Sequence, residues 1–207
     1  MKSKQQNSCT CKKITTDKLV KISILSAVSF VIMMLDFPLP IFPVFLQIDL
    51  SDIPALIGGF AMGPIVGVII ELVKNILHLL TTSTAGIGEI ANFIVGGVFV
   101  YVSAAIYRRK KTKKRAIISL FIGIVVMSLV ACIFNYFILI PLYESALNIP
   151  ITATIALAAT VTSLINSLET LILYSILPFN ILKGTIVSIV VLLIYKKVEP
   201  IIKPKCN

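Results

Sequence analysis

Charge is scarce in this 207-residue chain: Asp, Glu, Lys and Arg make up 14% of it, against roughly 25% in an average globular domain. That is too few polar groups to cover the surface of a soluble fold. Histidine occurs once, as His78, so no nucleophile–base pairing is visible; no enzyme and no metal site are expected. A G-x-x-x-x-G-K-[ST] phosphate loop is missing, and Lys183-Gly184-Thr185 lacks the preceding glycine frame, which excludes an ATPase. Cysteine is limited to Cys9, Cys11, Cys132 and Cys206. The Cys9-x-Cys11 pair has no second cluster to complete a zinc site and is expected on the reducing side of a membrane, so the thiols are read as unpaired.

What is abundant is apolar surface, with 57% hydrophobic residues and a mean hydropathy of +1.01. Of 19 Lys and Arg residues, six precede Ile22, seven lie within Arg108 to Arg115 and four follow Ile194. Basic loops stay cytoplasmic, so three points of the chain are pinned to one side of a membrane. The net charge of +10 is therefore topogenic. Anionic lipid is its secondary partner, and no nucleic acid is expected.

These anchors set the number of crossings, at about 20 apolar residues each. The first run is followed by Asp36-Phe-Pro-Leu-Pro rather than a small-residue cleavage site, and is read as a retained span. The residues 53–80 are long enough for one tilted helix or two short ones. A single crossing would put the basic run from Arg108 to Lys111 outside, whereas a break at Gly63-Pro64 returns it to the cytoplasm. Three crossings after Arg115 would likewise strand Lys196 and Lys197 outside, so the Ser- and Thr-rich stretch 151–177 is read as an outer cap. The expected fold is an all-α integral membrane protein, a compact bundle of six transmembrane helices with N- and C-termini cytoplasmic. The spans are about 19–35, 52–63, 64–80, 87–107, 116–141 and 180–195, of which 52–63 is unusually short for a crossing. An outer loop covers 37–51 and an outer cap 142–179, and a basic cytoplasmic tail, 1–18, and a cytoplasmic C-terminal tail, 198–207, flank the bundle.

With this topology the polar residues gather in the outer half of the bilayer. Asn75 and His78 lie near the outer end of the third span, and Asn92 lies early in the fourth. Asn135 and Tyr136 are in the outer third of the fifth, and Asn180 and Lys183 share a face at the start of the sixth. Polar groups at membrane depth avoid lipid, so this layer points to a ligand site open to the outside. Helix–helix hydrogen bonding is the alternative for any single Asn. Glu71 and Lys74, three residues apart and deeper, are expected to pair with each other. Ser23-x-x-x-Ala27 is a small-x-x-x-small pattern that permits close helix contact.

The ordered set of Phe37-Pro-Leu-Pro-Ile, Leu50-Ser-Asp-Ile-Pro-Ala-Leu, Gly63-Pro-Ile-Val-Gly, Leu72-Val-Lys-Asn-Ile-Leu-His, Ala91-Asn-Phe-Ile-Val-Gly-Gly, Phe134-Asn-Tyr and Pro178-Phe-Asn-Ile-Leu-Lys-Gly resembles a known family. It is similar to the riboflavin-specific substrate-binding (S) subunits of energy-coupling factor (ECF) transporters, the RibU family. The resemblance implies a six-helix bundle in the bacterial plasma membrane, with the first outer loop covering a vitamin held at the extracellular side. It makes Asn135, Asn180 and Lys183 the leading ligand contacts, with Leu46, Gln47 and Asp49 of the loop supplying others. It equates the Ser23–Ala27 face with the family's Ala-x-x-x-Ala surface for the transmembrane coupling subunit, with Ser23 in place of the first Ala. Two ATP-hydrolysing subunits are implied as further partners. Riboflavin is the transported ligand, and no cofactor is expected.

The chemistry agrees with that implication. A flavin presents an edge of alternating acceptors and a donor, which Asn amides and a Lys ammonium complement. Phe and Tyr can flank the ring. A stand-alone proton-coupled secondary transporter using Glu71, Lys74 or Glu89 is the competing reading, although no repeat relates the two halves.

Overall fold

A computed structural model describes residues 16–82 and 84–202, the last four by backbone alone. Cys9, Cys11, Cys206, most of the basic N-terminal tail, and Lys203 and Lys205 lie outside the described residues. Four helical stretches are long and apolar enough to cross a membrane: Pro64–Thr81, Ile87–Arg109, Lys113–Leu147 and Leu168–Val198. The shorter apolar helix Asp52–Met62 and the 18-residue helix Thr16–Met33 pack with them.

Helix α1 (Thr16–Met33) buries Ile22, Ser26, Ser29 and Met33, a spacing that puts one stripe against the bundle. It gives way to the Pro-rich loop. That loop is not wholly irregular: β1 (Phe37–Pro38) and β2 (Gln47–Ile48) form a short antiparallel ladder, with Phe37 opposite Ile48 and Pro38 opposite Gln47. The ladder is an addition to the all-α expectation. Its apolar side rests on the start of the last helix, where Phe42 and Ile48 cluster with Phe179 and the Phe42 and Phe179 rings meet edge-to-face at 5.3 Å.

Helix α2 (Asp52–Met62) and helix α3 (Pro64–His78) part at Gly63. Its φ of 116° and ψ of 160° are open essentially to glycine alone. Pro64 then supplies a first helical residue whose missing N–H costs nothing. A 3₁₀ turn (Leu79–Thr81) follows, and Gly86, at φ 86°, starts helix α4 (Ile87–Arg109). The basic loop leads to helix α5 (Lys113–Phe134), capped by the Thr112 side chain accepting from Arg115 N at 3.2 Å.

The last third departs from the expected boundaries. Helix α5 continues through a π-helical turn (Asn135–Leu139) into α6 (Ile140–Leu147), so the stretch ends at Leu147 rather than at 141. After α7 (Ile151–Ala159) comes α8 (Leu168–Leu171), opened by a Ser167–Thr170 capping box. A second π turn (Ile172–Ile176) leads into α9 (Leu177–Ile202). The final helical stretch thus begins at Leu168, not at 180, and only 148–167 separates the two long stretches. Each π turn is followed two residues later by a proline, Pro141 and Pro178. Proline cannot donate to the carbonyl four residues back and its ring crowds that carbonyl. A widened turn absorbs both problems and lets the helix pass through.

Arg108 marks one end of the bundle, which the α2–α3 turn shares: a Cβ on Gly63 would stand 3.9 Å from the guanidinium. Tyr107 stacks on Phe60 at 4.4 Å and Tyr195 packs edge-on against both, so α2, α4 and α9 all finish at this basic end. The loop 37–51, the starts of α2, α4 and α9, and the end of α5 lie at the opposite end. The largest core cluster runs between them, through Leu56, Ile70, Phe99, Val100, Leu120, Met127 and Val187.

Candidate ligand site

At the end opposite the basic loop, five ionisable side chains meet in the interior. Lys74 is wholly enclosed, as is Glu71, and Asp52, Asp49 and Lys183 are all buried. Lys74 Nζ lies 2.6 Å from Asp52 Oδ1, 2.6 Å from Ser51 Oγ and 2.8 Å from Glu71 Oε2. The Glu71 contact is an ion pair outside hydrogen-bond alignment. Lys183 Nζ donates to Asp49 Oδ2 at 2.7 Å and stands 3.8 Å from Asp52 Oδ2. Ser51 binds Asp49 Oδ1 through both its N–H, at 3.0 Å, and its hydroxyl. Ser29 of α1 donates to the Ser51 carbonyl at 2.5 Å.

Charges at this depth persist only when paired, because each would otherwise lose its hydration uncompensated. The chain makes room for them on the α4 side with Gly96, where a Cβ would stand 3.0 Å from Glu71 Oε2 and 3.2 Å from Asp52 Oδ1. Burial by itself would raise the Asp49 carboxyl. The ammonium of Lys183, then that of Lys74, and the hydrogen bonds from Lys183 and Ser51 instead hold it well below the usual carboxylate range.

The anticipated residues divide into groups. Asp49 and Lys183 join directly, which no spacing argument foresaw. Leu46 packs between the cluster containing Ala131 and Ile176 and the one containing Phe42 and Phe179. Asn135 and Asn180 sit one turn past Ala131 and Ile176, and each donates its amide to that residue's carbonyl at 2.8 Å. Leu46 and the Asp49–Lys183 bond thus tie the root of the loop to the last helix, on which Asn180 also lies. Tyr136 lies on the same π turn, half-buried, with its ring 4.8 Å from that of Phe137. Gln47 is exposed on β2.

Asn75, Asn92 and His78 belong to the α3–α4 side. Asn75 donates to Glu71 O at 2.8 Å, and its buried Oδ1 has no hydrogen-bond partner among the described residues. Asn92 reaches Met33 Sδ at 3.8 Å. His78 Nδ1 is 2.9 Å from Glu89 Oε1, and Thr84 donates to the other Glu89 oxygen at 3.2 Å. That pair ties the two ends of the α3–α4 connection. Ser51 and Asp52 were not anticipated as site residues. Asp52 is 22 positions from Lys74, and no sequence periodicity joins a loop exit to the middle of the next but one helix. On α1, Ser23 and Ala27 are exposed, on the side away from Ser26 and Ser29.

The family model for the substrate-specific component of ECF transporters matches residues 17–195. The chain belongs to that family. It is a multi-pass membrane protein with the non-enzymatic, substrate-binding role of an S component. The riboflavin transporter RibU of Staphylococcus aureus (strain TCH60) is 39% identical over 186 residues, covering 90% of this chain and 92% of the relative. The riboflavin transporter FmnP of Bacillus subtilis (strain 168) is 36% identical over 186 residues, covering 88% and 92%. A solved S component of a bacterial ECF transporter superposes with a TM-score of 0.70 at 36% identity, covering 90% of this chain and 98% of that one.

Proposed function

We propose that this S component captures riboflavin at the end of the bundle closed by the loop 37–51 and delivers it to an ATP-driven importer. The observation that carries the reading is the buried Lys183–Asp49 bond, which ties the last helix to the root of that loop, in a chain whose relatives are named riboflavin transporters. Lys183 and the Asn135 and Asn180 amides supply donors and acceptors for the polar edge of the flavin. Leu46, Phe42 and Phe179 supply apolar surface for its rings. Gln47, exposed on the loop, suits the ribityl hydroxyls. Asp49 acts as the counter-ion that keeps the Lys183 ammonium at the loop root.

In this reading six helices cross the membrane: α1, α2, α3, α4, the α5–α6 stretch and the α8–α9 stretch. The basic end lies in the cytoplasm, as the positive-inside rule requires, and the loop end faces outward. The exposed Ser23–Ala27 face of α1 meets the transmembrane coupling subunit, and two ATPase subunits complete the importer. Membership of the ECF family supports this arrangement over proton-coupled transport, and Glu71 and Glu89 are already engaged by Lys74 and His78.

Uptake of labelled riboflavin into cells that produce the chain with its partner subunits tests the whole reading. Uptake should stop on ATP depletion and survive collapse of the proton gradient. The reverse pattern would establish a secondary transporter instead.

A further inference from the structure

Lys74 is walled off from any ligand by the acceptors around it. Its ammonium offers three N–H groups, and Ser51 Oγ, Asp52 Oδ1 and Glu71 Oε2 stand at 2.6, 2.6 and 2.8 Å from it. Nothing of its side chain is exposed. Whatever Lys74 does for binding, it does through its neighbours.

Those neighbours form a directed path. An ammonium can only donate, so the Ser51 hydroxyl accepts from Lys74 and must turn its own proton elsewhere. That proton goes to Asp49 Oδ1, which also accepts the Ser51 N–H at 3.0 Å. With Oδ1 so occupied, Asp49 presents Oδ2 to Lys183 at 2.7 Å. The ring closes on the other side. Asp52 Oδ1 is held by Lys74, which leaves its Oδ2 3.8 Å from Lys183. Both carboxylates that face Lys183 are thus oriented by the one enclosed ammonium.

We propose that Lys74, acting through Ser51 and Asp52, is a positioning residue for the ligand site: it fixes the hydrogen-bond polarity of the ring that holds Lys183 at the root of the loop. The inference rests on the reading of Lys183 as a ligand contact. Without Lys74, Asp52 is released from its strongest partner and competes with Asp49 for Lys183, drawing the ammonium towards α2. Without the Ser51 hydroxyl, the Lys74 pairs with Asp52 and Glu71 survive, and only the arm through Asp49 is cut.

A double-mutant cycle on the full-length protein in detergent, with riboflavin as the probe, decides the matter. Lys74→Met and Ser51→Ala are each made in the wild-type and Lys183→Ala backgrounds. In the wild-type background the riboflavin Kd should rise by about tenfold for Lys74→Met and several-fold for Ser51→Ala. In the Lys183→Ala background each effect should shrink to about twofold or less, because residues that act through a shared partner are not additive. Equal factors in both backgrounds would overturn the proposal, since the network would then act on the fold at large. If Lys74→Met does not yield folded protein, the Ser51→Ala arm carries the decision. A Lys183→Ala protein with unchanged riboflavin affinity would remove the ligand role of Lys183 and the positioning role with it. A weakened Lys183→Ala protein with additive Lys74 and Ser51 effects would sink the positioning role alone.

Discussion

Asp49 shows how a buried carboxylate is kept charged. Burial pushes its carboxyl up, and the Lys183 and Lys74 ammonium groups bring it down further than burial raises it. A carboxyl depressed in the folded state contributes stability above its unfolded value, about 3.9 for Asp, and loses it as pH falls below that value. The stability advantage of the wild type over Asp49→Asn should therefore stay constant from about pH 5 to pH 8 and shrink only below about pH 4. Thermal unfolding in detergent across that range checks it; an advantage that fades near pH 6 would contradict the assigned pairing. Gly96 makes a second residue-scale test. Its missing side chain leaves the space that Glu71 and Asp52 occupy against α4. Gly96→Ala should destabilise the protein by about 1–3 kcal/mol, as overpacking of a tight site does, read as a lower unfolding temperature. At this scale much was legible. Glu71 and Lys74 are three apart on one helix and do pair, at 2.8 Å. The Lys183–Asp49 bond spans 134 positions, and nothing in local sequence announces such a contact.

Among the elements, proline and glycine carry the lessons. The Gly63-Pro64 dipeptide marks a break, and α2 and α3 do part there, in a backbone conformation that an L side chain resists. Gly63→Ala should cost about 1–3 kcal/mol of stability, detectable in the same unfolding assay. Pro141 and Pro178 gave the opposite result. The expected spans stop at 141 and start at 180, next to these prolines, yet π turns at Asn135–Leu139 and Ile172–Ile176 carry the helices through. A π turn needs one extra residue and no special residue type, so it leaves no sequence signal beyond the proline it serves. These turns matter to the site, because Asn135 opens one and Asn180 bonds to the last residue of the other.

For the whole molecule, the clustering of positive charge gave the frame, since the Arg108–Arg115 loop, the α2–α3 turn and the end of α9 fall at one end of the bundle. In the proposed importer, the exposed α1 face is what separates capture from delivery. Ala27→Trp should leave riboflavin binding by the isolated subunit within about twofold of wild type, since it alters no site residue. Riboflavin uptake with the partner subunits should nonetheless fall by an order of magnitude or more, because a small-residue contact cannot close over an indole. Parallel binding and uptake assays check this. The central claim, that Lys183 and its neighbours hold riboflavin beneath the loop, is tested most directly by titrating riboflavin fluorescence against the purified chain and its Lys183→Ala variant. The account predicts saturable quenching at one flavin per chain, weakened about tenfold or more in the variant, as loss of a charged hydrogen bond entails. Absence of quenching by the wild type, or identical curves for the two proteins, would contradict it.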